Sequence, residues 1–174
     1  MRSSAHGRYK ARDGRAGDLR SFTVAPGAVL RPPWSRPGDA FDLACTRCGK
    51  CVDACPTHVL KLAGGVVQVD FAEAECTFCG ACADACPEPA FDVGARAADA
   101  RPWTAVARID ATCLARLGIE CDSCGDACES HAIRFRVHGG TVPDPRVDSA
   151  HCTGCGACVR VCPATAIEVR RPPG

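Results

Sequence analysis

The chain has 174 residues, of which 47% are apolar and 24% are charged, and its formal net charge at pH 7 is +1. Sixteen of the apolar residues are cysteines and aromatic residues make up only 5%, which excludes a large hydrophobic core. No stretch reaches the ~18 consecutive apolar residues of a membrane-spanning helix.

Residues 1–40 form a basic N-terminal tail, with eight Lys or Arg side chains against three Asp. The rest of the chain has thirteen basic and seventeen acidic side chains. Because Gly and Pro are scattered through the tail, we predict a flexible, solvated segment. It can also fold back on the acidic body or bind an acidic partner. Nucleic acid is not expected, since the adjoining body would repel phosphate.

A second signal in the tail is the sequence Arg-Pro-Pro-Trp-Ser at residues 31–35. The two prolines stiffen the backbone, and a tryptophan after them is suited to anchor the segment. Trp34 docks either on the first module of this chain or on a partner. The similar Arg-Pro-Trp at residues 101–103, before the second module, favours packing within the chain.

Three cysteine groups, which begin at Cys45, Cys76 and Cys152, have the spacing C-x2-C-x2-C-x3-C-P. This is the ligand run of bacterial [4Fe–4S] ferredoxins. The two-residue gaps let a loop wrap three corners of a cubane, and the last gap starts a short helix. Zinc sites use C-x2-C pairs that lie well apart, and three thiols this close cannot all form unstrained disulfides. We therefore predict iron–sulfur clusters rather than zinc or disulfides.

The remaining four cysteines form an irregular third group, in which seven residues separate Cys113 from Cys121. The simpler interpretation is a longer loop that still brings Cys113 to its cluster. The alternative is that Cys113 lies away from it and leaves a labile iron or a three-iron cluster. Glu129 stands where the other groups have proline. Its charge lowers the reduction potential nearby, whereas its backbone N–H can raise it, and the balance stays open.

In ferredoxins with two clusters, the fourth cysteine of each run ligates the other cluster. We therefore predict four clusters, with every cysteine bound to iron and none left over. The predicted ligands are Cys45, Cys48, Cys51 and Cys86 for cluster I; Cys76, Cys79, Cys82 and Cys55 for cluster II; Cys113, Cys121, Cys124 and Cys162 for cluster III; and Cys152, Cys155, Cys158 and Cys128 for cluster IV.

The predicted fold class is α+β, with two tandem bacterial-type dicluster ferredoxin-like modules behind the extended tail. The modules span residues 41–93 and 103–170, with a linker at 94–102 and a C-terminal tail at 171–174. Each contains a hairpin, which joins Val59–Leu62 to Val66–Val69 and Ile133–Val137 to a strand near residues 141–147. A further strand is predicted at Val106–Ile109. Leu60, Phe91, Ile133 and Ile167, each five positions after a group's last cysteine, start strand-like runs that shield a cluster.

The compartment and the class of protein follow from the same residues. Thiolates kept for metal indicate a reducing compartment, and the best signal-peptide candidate, Phe22–Leu30, is broken by Pro26 and Gly27, so we expect a cytoplasmic protein. No nucleophile–histidine–acid set, phosphate loop or dinucleotide fingerprint is present, and no enzyme activity is expected. Because the cores are thin, metal must supply much of the folding free energy. His58, His131 and His151 are predicted to be turn residues rather than ligands.

The chain resembles the NapF family, ferredoxin-type accessory proteins of periplasmic nitrate reductase systems. The resemblance rests on the four cysteine groups, the widened third group and the segment at residues 31–35. It implies a non-enzymatic cytoplasmic protein that binds the precursor of the catalytic nitrate reductase subunit and helps it to mature before export. A polyferredoxin electron carrier and a redox subunit of a larger respiratory complex are the alternatives.

Overall fold

The computed structural model describes residues 29–98, 100–137 and 142–172. Its elements are very short, as the close spacing of turn residues and cysteines requires. The α-helices are α1 (Ala40–Ala44), α2 (Lys50–Asp53), α3 (Ala81–Asp84), α4 (Val93–Ala97), α5 (Ser123–Asp126) and α6 (Ala157–Arg160), with a 3₁₀ turn at Ala115–Leu117. None of the helices in these ranges is long and apolar enough to cross a membrane.

Six strands form three separate two-stranded antiparallel sheets in the described residues. The strands are β1 (Leu60–Ala63), β2 (Val66–Val69), β3 (Val106–Ile109), β4 (Ile133–Arg136), β5 (Asp144–Val147) and β6 (Ile167–Arg170). The pairs are β1 with β2, β4 with β5, and β3 with β6. The two predicted hairpins are therefore confirmed, the first with its turn at Gly64-Gly65, both at positive φ. The predicted second turn, at residues 138–140, lies outside the described residues.

The residues five positions after the last cysteine of each group lie in strands or in an isolated bridge. Three of them are the first residues of strands, at Leu60, Ile133 and Ile167. The fourth, Phe91, forms an isolated antiparallel bridge with Ser35. All four are buried, with at most 6% of their surface exposed. The internal repeat in the sequence is thus also a structural repeat.

Part of the predicted flexible tail belongs to the first module instead. Trp34 and Arg36 pair with the backbone around Phe91, through Asp92 N–H to Trp34 O (2.8 Å) and Arg36 N–H to Ala90 O (3.0 Å). This segment occupies the place that β3 takes beside β6 in the second module. Prolines at positions 32 and 33 lack backbone N–H groups, which limits it to an isolated bridge. Docking of Trp34 within the chain is therefore confirmed, and residues 29–40 are not a free tail.

The predicted linker at residues 94–102 also contains regular structure. Helix α4 covers its first part, and the Asp92 carboxylate caps that helix by accepting a hydrogen bond from the Ala95 N–H (2.9 Å). The Asp at the N-cap position was the sequence signal for this helix. The predicted linker therefore begins with a short helix.

Two principal groups of buried apolar residues form the core. The first module packs around Phe41, Val59, Leu60 and Val67, and Trp103 and Ala105 from beyond the linker join the same group. The second group contains Val106, Ile133 and Ile167. Since Val159 and Val169 contact both, packing is continuous from one module to the other.

Candidate iron–sulfur centres

The four cysteines predicted for cluster I line one cavity in the first module. These are Cys45, Cys48, Cys51 and Cys86. Helix α2 carries Cys51. Cys86 belongs to the second group, follows the end of α3 and lines the same cavity. Burial raises the pKa of Cys51 to about 11, and the neighbouring Cys45 and Cys86 thiols add to the shift. The structure thus brings a fourth-position cysteine to the other group's loop, as crossed ligation requires.

A second cavity contains the cysteines predicted for cluster II. These are Cys55, Cys76, Cys79 and Cys82. The empty spaces of the two cavities, which include their openings, are similar, at about 310 and 330 Å³. Burial raises the pKa of Cys82 to about 12, with further contributions from Cys76 and Cys55. The two cavities are therefore equivalent sites, related by the repeat.

The second module brings its cysteines together in the same crossed sets. Burial raises the pKa of Cys124 to about 11, and the nearby Cys113, Cys121 and Cys162 thiols raise it further. These four are the predicted ligands of cluster III. Burial likewise raises the pKa of Cys158 to about 12. The nearby thiols of its own predicted set, Cys155, Cys152 and Cys128, raise that pKa further, and so does Cys124 of the other set.

These thiol groups fit the chemistry of a cubane. Thiols gathered this closely resist ionisation, because burial and mutual repulsion both penalise the thiolates. Iron ions supply the compensating positive charge, and metal binding then releases the thiol protons. The sets of clusters I and II line separate cavities, so one cubane is suited to each of them. The repeat predicts the same arrangement in the second module. The assignment of individual ligands remains a prediction.

The three regular loops share one backbone course. The residue before the second cysteine and the glycine after it are both left-handed, as at Arg47 (φ 59°) and Gly49 (φ 81°). Phe78 with Gly80, and Gly154 with Gly156, repeat this pair of turns. Such consecutive turns direct backbone N–H groups toward the enclosed anion. In the first loop the Lys50 backbone N–H bonds to the Cys48 sulfur and lowers the pKa of that thiol.

The third loop follows a different course. After Cys113 the chain forms the 3₁₀ turn Ala115–Leu117 and then reverses at Gly118 (φ 83°). The residue after the second cysteine is Asp122, with φ −131°, a conformation that needs no glycine. Cys113 is buried with 8% exposure and lies near Cys124. The long loop therefore brings Cys113 back to the set in which the sequence placed it.

Donors to sulfur include residues that the sequence analysis did not single out. The Ala107 N–H points at the Cys152 sulfur (3.4 Å) and the Ala166 N–H at the Cys162 sulfur (3.3 Å). Three hydroxyl groups also lie within hydrogen-bond distance of sulfur: Thr57 Oγ1 at 3.6 Å from Cys55, Ser130 Oγ at 3.6 Å from Cys128, and Ser123 Oγ at 3.9 Å from Cys121. Each hydroxyl residue stands two positions after its cysteine. That shared offset was the available sequence signal.

The histidines occupy turns, as predicted. His58 and His131 are left-handed, with φ of 55° and 49°, and their backbone N–H groups donate to Cys55 O and Cys128 O. His151 Nδ1 lies 2.9 Å from the Asp148 carboxylate.

Two cysteines of the first module are exposed to solvent, Cys48 and Cys79. Each is the second cysteine of its group, so solvent reaches both predicted cluster sites of this module at that position.

Comparison with protein families finds the 4Fe–4S dicluster domain twice, at residues 44–90 and 119–166. The first match contains all eight cysteines of the first two groups, whereas the second begins after Cys113. The irregular cysteine is thus also the one that lies outside the general family pattern.

Among individual relatives, the ferredoxin-type protein NapF of Haemophilus influenzae is 45% identical over 141 residues, covering 80% of this chain and 78% of that protein. The ferredoxin-type protein NapF of Escherichia coli K12 is 42% identical over 139 residues, covering 79% and 82%. The methylamine utilization ferredoxin-type protein MauM of Methylobacillus flagellatus is 34% identical over 169 residues, covering 87% and 71%.

Proposed function

The chain belongs to the NapF family of ferredoxin-type iron–sulfur proteins, and we propose that it carries four [4Fe–4S] clusters and helps the catalytic subunit of a periplasmic nitrate reductase to mature in the cytoplasm before export. The proposal has two parts, the cluster content and the partner. They rest on different observations and require separate experiments.

The cluster content is supported by the arrangement of the cysteines. All sixteen fall into four sets of four, and two of these sets each line one cavity. We expect about sixteen irons and sixteen sulfides per chain after anaerobic purification. A content near eight would contradict four cubanes, and zinc in place of iron would contradict the cluster class.

The partner is supported by the family relationship, since relatives at 42–45% identity cover about four fifths of this chain. The decisive experiment compares the precursor of the catalytic reductase subunit with its mature form as bait for the cluster-loaded chain. We expect retention by the precursor and little retention by the mature subunit. Equal binding to both would contradict a role that ends before export.

A pure electron carrier is the second candidate, and the exposure of Cys48 and Cys79 favours it. Clusters with solvent-exposed ligands can exchange electrons with many partners during brief encounters. This candidate predicts rapid oxidation of the reduced chain by unrelated redox proteins and no selective retention by the precursor. A stable stoichiometric complex on purification would instead indicate a fixed redox subunit.

A further inference from the structure

The two modules touch at a ligand of each of two predicted clusters. The backbone N–H of Cys76, from the cluster II set, donates a hydrogen bond to the carbonyl oxygen of Cys155, from the cluster IV set, over 2.8 Å. We infer that clusters II and IV form a fixed electron-transfer junction between the modules, so that the four clusters are ordered I, II, IV, III. This inference rests on the four-cluster assignment proposed above.

Aromatic rings surround this contact and join the two cluster loops. Trp34, Phe78, Trp103 and Phe71 form a chain of edge-to-face pairs, with centroid separations of 6.5, 5.4 and 6.4 Å. Phe78 belongs to the cluster II loop itself. The Trp103 indole N–H donates to the carbonyl of Thr153, in the cluster IV loop, over 2.9 Å. Both tryptophans of the protein therefore lie at the junction.

Two glycines of the cluster IV loop allow this close approach. A Cβ at Gly156 would collide with the Phe71 ring, and a Cβ at Gly154 would collide with the Ala105 carbonyl and the Trp103 indole nitrogen. The matching glycine in the cluster I loop is Gly49, where a Cβ would have no neighbouring atom within 4 Å. The loop of cluster IV is thus fitted against Phe71 of the first module and against Trp103 and Ala105, which pack into the first module's core. The loop of cluster I has no such neighbour at Gly49.

Charged side chains reinforce the same boundary. Arg160, at the end of α6, forms an ion pair with Glu75, which precedes Cys76, over 3.1 Å. The Arg101 guanidinium donates to the Cys152 carbonyl beside the cluster IV loop. Each pair is partly exposed and weak by itself. Together with the aromatic chain they hold Cys76 and Cys155 in one orientation.

In the two inner sets a hydroxyl group lies near the crossing cysteine, whereas in the outer sets the nearby hydroxyls, Ser123 and Thr46, lie at Cys121 and Cys48 instead. The crossing cysteine of set II is near the Thr57 hydroxyl and that of set IV is near the Ser130 hydroxyl, both at 3.6 Å. At the matching positions of sets I and III the chain has Glu88 and Ala164. Donors to sulfur raise reduction potentials, so these hydroxyls move the two inner sites in the same direction. Similar potentials favour exchange of one electron, in which one centre is oxidised and its neighbour reduced, with no bond made or broken.

The first test isolates pairs of clusters in the full-length chain. The variant Cys48→Ala with Cys121→Ala removes a ligand of clusters I and III and leaves II and IV. The matched variant Cys79→Ala with Cys155→Ala leaves I and III. Each damaged centre either is lost or keeps three irons, so both variants should contain between about eight and about fourteen irons. After full reduction, we expect electron paramagnetic resonance to show spin–spin broadening in the first variant and narrow, non-interacting signals in the second.

The two measurements separate the two proposals. Iron content well below eight or close to sixteen in both variants would overturn the four-cluster assignment itself. Iron content between about eight and about fourteen in each, with no magnetic interaction between clusters II and IV, would overturn the junction and leave the proposed cluster content intact. Interaction in both variants would overturn the order I, II, IV, III.

The second test keeps all sixteen cysteines. Gly156→Ala and Gly49→Ala impose the same left-handed strain after the second cysteine of a loop, but only Gly156→Ala also meets Phe71. We expect Gly156→Ala to speed hydrogen exchange in the peptide containing Cys76 by roughly tenfold or more, and Gly49→Ala to leave that peptide unchanged. Phe71→Ala removes the ring that Gly156→Ala would meet, so the double variant should exchange no faster than Phe71→Ala alone. Equal behaviour of the two glycine variants, or additive effects in the double variant, would overturn the fixed contact.

Discussion

The cysteine loops reach the same result by two backbone routes. In the three regular loops, a left-handed residue and a left-handed glycine flank the second cysteine, as at Arg47 and Gly49. In the third loop, Asp122 takes the place of that glycine with an ordinary negative φ, and the reversal occurs earlier, at Gly118. Cys113 nevertheless lies beside Cys124 and Cys162. What the two routes share is the final position of the thiols, not the turn that places them.

Comparison of the four groups also shows which gaps between cysteines are constant and which can vary. The last two gaps are identical in all four groups, because the third cysteine lies in a short helix and the fourth follows its end. The first gap varies, since only a loop separates the first two cysteines. Spacing inside the helical part is therefore fixed by geometry, whereas spacing in the loop can change if a new turn compensates.

Removal of the metal should destabilise the protein more than any other change. Both kinds of loop should then unfold, and the difference between them should disappear. Each core contains few large apolar side chains, so the apoprotein should lose most of its secondary structure. Far-ultraviolet circular dichroism before and after anaerobic chelation measures this, and reconstitution with iron and sulfide serves as the control. A cooperative thermal transition in the apoprotein would contradict the prediction.

Substitution of the first cysteine in each type of loop tests whether the two routes are equivalent. Cys113→Ala and Cys45→Ala should each lower the iron content from about sixteen per chain to between about twelve and about fifteen, depending on whether the damaged centre is lost or keeps three irons. The reason is that each thiol belongs to a predicted set of four ligands and lies near other members of its set. Iron analysis and Mössbauer spectra provide the measurement. Unchanged iron and spectra in Cys113→Ala alone would show that the third loop leaves its first cysteine unbound.

Much of this architecture was predictable because the cysteine pattern constrains it locally. The hairpin at Gly64-Gly65, the turn role of His58 and the docking of Trp34 follow from short-range signals. The pairing of β3 with β6 could not be predicted in this way, because these strands are about sixty residues apart in sequence. Their residue pattern also does not define which positions face each other. The prediction of a flexible tail was wrong for residues 29–40, since their composition hides the single bridge from Ser35 to Phe91.

The sequence predicts sets of ligands but not the spatial order of those sets. Crossed ligation relates the two clusters within each module, whereas nothing in the spacing relates one module to the other. The Cys76–Cys155 contact depends on Gly156 meeting Phe71, a fit between residues that are 85 positions apart in the sequence. Glycine follows the second cysteine in all regular loops, so sequence alone cannot show which one also makes an interface.

Substitution of the residue after the second cysteine should reduce stability by a moderate amount in a regular loop and by less in the third loop. Gly49→Ala places a Cβ at φ 81° and should destabilise the loaded protein by about 1–2 kcal/mol. Asp122→Ala, at the matching position of the third loop with φ −131°, should change stability by less than about 0.5 kcal/mol. The temperature at which visible cluster absorbance is lost under anaerobic heating compares the two. Equal losses would mean that the left-handed turn is not what separates the loops.

The smallest effect concerns Glu129, which follows Cys128 where each regular group has proline. Glu129→Gln removes a negative charge beside a predicted ligand of cluster IV and should raise the reduction potential, because the added electron is then less repelled. The side chain is exposed, so solvent limits the effect to less than about 1 kcal/mol, or roughly 40 mV for one electron.

The variant Glu129→Pro separates the charge from the backbone, because it removes the same charge and also the backbone N–H. If that N–H bonds to sulfur, the proline variant should have a lower potential than the glutamine variant. Redox titration followed by electron paramagnetic resonance resolves the two terms, and a potential that falls in Glu129→Gln would contradict the electrostatic explanation.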